Sequence, residues 1–290
     1  MAVPAGVSRG LTRAALSRRL ANWPLEDVIG AIVLVALATV ALVALLFPML
    51  VIVLVSFDTG SRLRFPPQEF SLERYAAVPQ LEGFVDAITL SLGVGLAVVG
   101  IDILLGVPAA IALVRGRFPG KSFLIGFLQS PMMVPGIVVG VAILLFLSFV
   151  GLNVSVPLMM LSHVVITLPF LLRITYARME SANRTLEEAA EDLGANRWQV
   201  FRHVVLPHLL PGIVGGSALA FLLSFDNLPV SIFTAPVVGP PLPVYLFRLL
   251  LYEIDPIVAP IATLQILITF VVLAVAARTL RTSEVLGRGK

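Results

Sequence analysis

The chain contains no cysteine and little charge. Of its 290 residues none is Cys, 3 are His and 13% are charged, whereas 58% are hydrophobic. The absence of cysteine excludes disulfide bonds, thiolate catalysis and Cys-ligated metals, and it leaves the redox compartment open. So apolar a composition is far from that of soluble domains. It indicates a membrane protein.

The chain also lacks a complete nucleotide-binding P-loop. The segment RGRFPGKS, which starts at Arg115, ends in the Gly-Lys-Ser of that motif. A P-loop needs a glycine at the position of Arg115, and Pro119 removes an N–H group from the phosphate cradle. We therefore expect any ATP used here to be bound by another chain.

No enzyme motif is present either. There is no Ser/His/Asp set with a supporting motif and no metal-ligand cluster such as H-E-x-x-H, which argues against a membrane enzyme. We expect no catalytic residue, cofactor or metal. The basic residues lie beside apolar stretches and do not form one face, so no nucleic-acid partner is expected.

Six stretches are long and apolar enough to cross a bilayer, which takes about 20 residues. They cover residues 28–55, 87–114, 123–150, 154–174, 209–233 and 256–277. The first is too long for a signal peptide and is interpreted as a retained anchor. Gly136 with Gly140 and Gly212 with Gly216, each four apart, predict close helix contacts. The fold class is therefore an all-α membrane protein with six transmembrane helices.

Along the chain, connections that are rich in Lys and Arg alternate with connections that contain few of them. Four sets lie before span 1, between spans 2 and 3, between spans 4 and 5, and after span 6: Arg9, Arg13, Arg18 and Arg19; Arg115, Arg117 and Lys121; Arg178, Arg184, Arg197 and Arg202; Arg278, Arg281, Arg288 and Lys290. Because cytoplasmic connections carry more Lys and Arg, both termini are predicted to be cytoplasmic. Residues 1–27 and 278–290 become cytoplasmic tails, 28–56 the first transmembrane helix and 57–86 an external segment.

A polar stretch between spans 4 and 5 has helix signals of its own. Its sequence is RMESANRTLEEAAEDLGANRWQVFRHVVLPHLLPG. Thr185 and Glu188 can form a capping box for a helix that begins at Leu186, and Gly194 supplies a left-handed residue at its end. The apolar face of this helix consists of Leu186, Ala189, Ala190 and Leu193.

A second helical piece is predicted from Asn196, which is a good cap. It places Trp198, Phe201 and Val205 on one side, and Pro207 is expected to end it. Two interpretations remain open from the residues alone. The first helix either docks into a groove of another protein or is a solvated acidic helix.

The order and spacing of Glu188-Ala189-Ala190, Gly194, Leu206 and Pro207 resemble the EAA loop of permeases from binding-protein-dependent ABC importers. The resemblance implies a type I permease core over residues 87–277, with a coupling loop at 178–207 that docks on a cytoplasmic ATPase. It also implies an ATPase dimer, a second homologous permease and an extracytoplasmic solute-binding protein as partners, in a bacterial inner membrane. The ATPase would be a separate subunit, so this chain would not itself be an enzyme.

Three further stretches resemble one branch of that family, the spermidine/putrescine-type importers. They are PAAIALVRGRFPGK, SPMMVPGIVVGVAILLF and SFDNLPVSIF. The resemblance implies a polyamine as the solute, with another small organic solute as the alternative. An ion-coupled secondary transporter and a structural scaffold are rival classes. The EAA loop argues against the transporter, and a scaffold would tolerate disruption of residues 187–207.

Asp226, in SFDNLP, is the most informative charge inside a span, because an intramembrane carboxylate normally faces the bundle interior or water. With Asn227, Phe221 and Phe225 it would suit the ammonium groups of a polyamine. Asp102 is a weaker pathway candidate. The alternatives for Asp226 are a structural hydrogen bond between helices and a site near the outer surface that water already reaches.

Two other features are His163 and the segment 234–255. His163 has no titratable partner at helical spacing, which favours a structural role over a proton relay. The segment 234–255 is either an external surface where the binding protein lands or a stretch that re-enters the membrane.

Overall fold

The computed structural model describes residues 25–60, 62–252 and 255–287. Its helices are α1 (Leu25–Val55), α2 (Glu73–Ala77), α3 (Phe84–Arg115), α4 (Lys121–Gln129), α5 (Gly136–Phe149), α6 (Val156–Glu180), α7 (Arg184–Asp192), α8 (Arg197–Val200), α9 (Leu206–Phe225), α10 (Leu228–Thr234), α11 (Leu242–Tyr252) and α12 (Val258–Gly287). All regular structure in the described ranges is helical, which confirms the predicted fold class. The terminal basic residues used for the sidedness prediction lie outside the described residues: Arg9, Arg13, Arg18, Arg19, Arg288 and Lys290.

Within the described ranges, five helical runs are long and apolar enough to span a membrane by themselves. They are Ile29–Val55, Phe84–Arg115, Val156–Glu180, Arg197–Phe225 and Val258–Leu280. The first belongs to one compact unit, and the residues from Val55 onward form a second. Every contact described below lies in the second unit.

The third predicted span, 123–150, is wrong as a single helix. It consists of Lys121–Met133 and Gly136–Phe149, which are bent by 104° at the break between them. Pro135 has an extended backbone conformation there (φ −55°, ψ 132°) and precedes the first residue of α5. A proline in this position cannot donate the N–H that would continue the preceding helix, so the chain turns. Counted as one bent span, the pair brings the total to six.

The centre of the second unit is a three-helix contact of α3, α6 and α9. Leu171 of α6 is fully buried at this contact, and α3 and α9 both approach it through glycine. A Cβ at Gly106 would lie 2.7 Å from the Leu171 side chain, and one at Gly216 would lie 3.1 Å from its Cα. The small residues therefore set the spacing of the three helices. Gly140 and Gly212 make equally close approaches, which confirms the contacts predicted from the glycine pairs.

The segment 234–255 contains the short apolar helix α11. With 11 residues, Leu242–Tyr252 is about half as long as a span requires. Its start is anchored on α3, because the backbone N–H of Leu242 donates to the Ser91 hydroxyl at 2.8 Å. Leu242 is also part of a buried cluster that includes Phe84 and Ile261. This helix thus closes one end of the bundle.

Candidate functional site

The polar stretch between α6 and α9 folds as the two short helices α7 and α8. The Asn183 side chain accepts a hydrogen bond from the backbone N–H of Thr185 at 3.0 Å, and the helix begins at Arg184. The predicted capping box of Thr185 and Glu188 is therefore wrong. Asn183 is as good a cap and comes earlier in the chain. Glu188 instead pairs with Arg184, with Nε and Oε1 3.2 Å apart.

Gly194 follows the end of α7 and has the predicted left-handed conformation. Its φ is +88°, and the N–H of the following residue, Ala195, returns to the carbonyl of Ala190 at 3.0 Å. No atom lies within 4 Å of a Cβ built at Gly194. The need for glycine here is therefore one of backbone conformation, not of space.

Asn196 caps α8 as predicted. Its side chain accepts from the N–H of Gln199 at 3.0 Å, while the Gln199 side chain accepts from the N–H of Asn196 at 2.8 Å. This reciprocal capping box satisfies two N–H groups that have no partner inside the helix. The direction of the chain after Gly194 is thus fixed by local hydrogen bonds.

The inner face of α7 is attached to the membrane helices. Ala190 packs on a buried cluster that includes Val205 and Leu209. The Glu187 carboxylate pairs with the guanidinium of Arg115 at the end of α3, and the two side chains are only 19% and 24% exposed. Water screens such a shielded pair less than it screens a surface pair. The two contacts connect α7 to both α3 and α9.

The same region also exposes large apolar side chains. Leu186, Leu193 and Trp198 are 60%, 89% and 64% exposed. Ala189 is also exposed. We call these four residues the outer face. Apolar side chains displayed together in this way are typical of a surface that binds another protein.

α8 and α9 form one continuous helical run, so the prediction that Pro207 ends a helix is wrong. The π-helical segment Phe201–Val205 joins them, and the N–H of Leu206 bonds to the carbonyl of Phe201, five residues earlier. Pro207 follows this π-helical segment directly, so the chain stays helical through the proline. The run Arg197–Phe225 spans 29 residues, about 40 Å. It connects the outer face directly to the far end of the bundle.

The predicted fifth span, 209–233, is wrong beyond Phe225, because the helix stops there. Asn227 caps the next helix, α10, by accepting from the N–H of Val230 at 2.9 Å. Its amide N–H₂ also donates back to the carbonyl of Leu223 at 3.1 Å. Asn227 therefore bonds both sides of the break, and Asp226 lies between them.

Asp226 is exposed at this break, and its carboxylate accepts a hydrogen bond from the Gln265 amide of α12. Gln265 was not among the predicted site residues, although a lone amide in an apolar span is a signal for one. The pair places one negative charge where α9, α10 and α12 meet. A cation could approach it there.

The other pathway candidates lie in different surroundings. Phe221 and Phe225 stack with ring centroids 5.5 Å apart and are 6% and 1% exposed, so most of their surface is covered.

Asp102 is fully buried in α3 and faces Thr167 of α6. The Thr167 hydroxyl donates to the His163 carbonyl at 2.9 Å, which leaves both Asp102 oxygens without a hydrogen-bond donor among the described residues. The structure therefore does not bring Asp102 to the break.

His163 is buried beside the break and contacts both helices that flank it. Its Nδ1 lies 2.9 Å from the Ser224 hydroxyl of α9, and its Nε2 lies 3.0 Å from the Ser231 hydroxyl of α10. Within the described ranges, no group of three or more His, Asp or Glu could hold a metal ion. The site is thus a polar helix break with one exposed carboxylate.

A protein-family profile described as "Binding-protein-dependent transport system inner membrane component" matches residues 102–282. This is more than half of the chain, and the chain belongs to this family. It is a multi-pass inner-membrane permease subunit of an ABC importer, a transport component and not the subunit that hydrolyses ATP. The resemblance stated from the EAA loop is confirmed.

Two curated relatives and one solved structure show the same likeness. The spermidine/putrescine transport system permease protein PotC of Escherichia coli (strain K12) is 30% identical and covers 80% of this chain and 88% of its own. The putrescine transport system permease protein PotI of the same organism is 30% identical and covers 75% of this chain and 79% of its own. A bacterial ABC transporter for the acidic polysaccharide alginate has a TM-score of 0.69 at 20% identity, over 88% of this chain and 98% of that chain. It supports the fold alone.

Proposed function

We propose that this subunit forms half of the pathway by which an ATP-driven importer takes up a polyamine of the putrescine or spermidine type. Relatives named for these two solutes match three quarters or more of the chain. The observation that carries the proposal is the exposed carboxylate of Asp226 at the helix break. A polyamine is a flexible chain with a positive ammonium group at each end, so it matches a negative charge set among apolar helices.

The Asp226 carboxylate would bind one ammonium group, assisted by the second lone pair of the Asn227 side-chain oxygen, which already accepts from Val230. Attraction between opposite charges is stronger in such a partly desolvated place than in water. Gln265 would hold the carboxylate in position without neutralising it, since an amide carries no net charge. Phe221 and Phe225 would offer a ring face only in an arrangement of the bundle in which their mutual stacking opens. Asp102 would take part only if α3 and α6 separated.

The outer face would dock on an ATPase dimer, with Glu188 and Ala189 exposed toward it. Gly194 would give the loop its shape. Ala190, Leu206 and Pro207 would transmit the movement, because Ala190 packs on the inner side and the other two begin α9 within the continuous helix. The ATPase would then shift the balance between two arrangements of the bundle by the differential contact it makes with them.

A second homologous permease would complete the pathway, and an extracytoplasmic solute-binding protein would deliver the polyamine. The α7–α8 region and both termini would be cytoplasmic, and residues 57–86 would be external. The domain limits proposed from the sequence stay as follows: 1–27, 28–56, 57–86, 87–277 with the loop 178–207, and 278–290. The exposed Arg117 and Arg184 at the proposed cytoplasmic side agree with this orientation.

The test is uptake by the assembled importer in proteoliposomes, with binding protein outside and ATP inside. Labelled putrescine should enter only with ATP and should be competed by unlabelled spermidine. Asp226→Asn should raise the half-saturating putrescine concentration about tenfold, whereas Asp86→Asn, an exposed carboxylate at the start of α3, should not. Uptake that proceeds without ATP would favour an ion-coupled transporter. ATP-driven uptake of a different organic solute, with none of either polyamine, would contradict the proposed substrate.

A further inference from the structure

We propose that His163 is a positioning residue for solute recognition, because it holds the helix break in the shape that presents the Asp226 carboxylate. The inference rests on the proposed function only for the identity of the solute. The break itself is a feature of the described structure, between Phe225 and Leu228.

Two side chains link the helices across the break, and they do so from different sides. Asn227 belongs to the break itself and bonds Leu223 behind it and Val230 ahead of it. His163 comes from another helix, α6, and bonds Ser224 and Ser231. Asn227 can set the local turn, but only an outside residue such as His163 can fix that turn relative to the rest of the bundle.

The chemistry of the three side chains is complementary. A neutral imidazole has one N–H donor and one acceptor nitrogen, and a serine hydroxyl can serve in either role. Both bonds therefore form in either tautomer. His163, Ser224 and Ser231 are 1%, 4% and 1% exposed, so water cannot substitute for a lost bond without entering the core.

Two further contacts flank the break. On one side, α5 approaches α10 through Gly140, whose Cβ would lie 2.9 Å from the carbonyl oxygen of Pro229. On the other side, Gln265 contacts Asp226 from α12. α10 is only 7 residues long, and in the described part of the chain the bond from His163 to Ser231 is its buried side-chain hydrogen bond to α6. If that bond is lost, α10 can tilt, and the carboxylate that precedes it turns with it.

The functional test uses the assembled importer in proteoliposomes with labelled putrescine. His163→Phe keeps a ring but removes both bonds, and it should raise the half-saturating concentration about three- to tenfold. His163→Asn and His163→Gln each place an amide near one of the two ring nitrogens and should recover part of the loss. Maximal uptake rate should change less than half-saturation, because coupling to the ATPase is untouched.

A triple variant separates positioning from packing. His163→Phe leaves two buried hydroxyl groups unpaired, and adding Ser224→Ala and Ser231→Ala removes them. Stability in detergent should then recover, because replacing all partners by apolar groups is nearly neutral. The half-saturating concentration should stay raised. A triple variant with normal half-saturation would overturn the proposal, since His163 would then serve only to satisfy the serines.

A spectroscopic measurement tests the geometry without any solute. The chain has no native cysteine, so spin labels can be placed at Leu210 and Ile232, both exposed and on opposite sides of the break. With cysteine-free partner subunits, the distance between the labels should be narrow in the parent and shifted or broadened in His163→Phe. A control pair at Leu161 and Arg173, on the unbroken helix α6, should not change.

The uptake measurement and the distance measurement test different claims. An unchanged Leu210–Ile232 distance in His163→Phe would overturn the inference, whatever the solute. If the parent takes up no polyamine, the proposed substrate is wrong, and the distance measurement still decides whether His163 sets the break.

Discussion

The guanidinium of Arg115 pairs with the carboxylate of Glu187, and this joins the last residue of α3 to the first turn of α7. Arg115 belongs to the RGRFPGKS segment, which resembles a P-loop without being one. Arg115 thus lies between a membrane helix and the region proposed to contact the ATPase. A movement of α7 would be transmitted to α3 through this ion pair and to α9 through the backbone.

Reversing that charge should uncouple ATP hydrolysis from transport. In Arg115→Glu two carboxylates would face each other in a shielded place, and ATP-driven uptake should fall about tenfold while the ATPase rate falls less. The double variant with Glu187→Arg should restore uptake to within about twofold. Arg184→Ala, which breaks the exposed pair with Glu188, is the matched control and should have a small effect. Failure of the double variant to recover would show that the pair is not the connection.

Substitution of Gly194 should damage coupling through backbone strain. A non-glycine residue at φ +88° costs about 1–2 kcal/mol, and Gly194→Arg should abolish ATP-driven uptake while the protein stays in the membrane. Gly194→Asn should be the mildest change, because Asn tolerates this region best. Gly151→Arg, at φ +72° and with no atom within 4 Å of the glycine's Cβ position, is the matched control and should keep uptake. Normal uptake by Gly194→Arg would contradict the coupling role.

A methyl group at Gly140 should destabilise the bundle. Its Cβ would lie 2.9 Å from both Phe233 and the Pro229 carbonyl, so α5 and α10 must move apart. Gly140→Ala should lower stability by about 1–3 kcal/mol, seen as a lower midpoint of thermal aggregation in detergent. Gly100→Ala, in α3 with no atom within 4 Å, should be neutral or slightly stabilising. Equal midpoints for the two variants would contradict the close contact.

Cysteine labelling should determine the orientation of the chain. An impermeant maleimide applied to spheroplasts should label Glu82→Cys, before α3, and should spare Arg117→Cys, after it, until the membrane is permeabilised. Both positions are exposed, and the parent has no cysteine that could react. The reverse labelling pattern would invert the proposed topology.

The number of apolar stretches was predictable because their length and composition are set by the bilayer. Their interruptions were harder to predict. Pro135 occurs in an apolar run that is long enough to span, and a single proline can also be accommodated inside a membrane helix, as Pro169 is in α6. The helix end at Phe225 depends on the Asn227 cap, whose bonds need Leu223 and Val230 in place.

In the loop between α6 and α9, some features were predictable from the sequence and others were not. Gly194 and Asn196 were predictable, since their roles depend on neighbours in sequence. Asn183 was missed because Thr185 with Glu188 offers an equally good local pattern, and the actual partner of Glu188 is Arg184. Contacts such as Glu187 with Arg115, 72 positions apart in sequence, have no local signature.

The uninterrupted helical run from Arg197 to Phe225 limits where residues can be inserted into this protein. Each inserted residue would rotate everything beyond it by about 100° and advance it by about 1.5 Å. One insertion in α9 would therefore turn Asp226 away from Gln265, even though no side chain had been altered. The exposed turn at Val237 and Val238 imposes no such angular register, and added residues there would leave the carboxylate where it is.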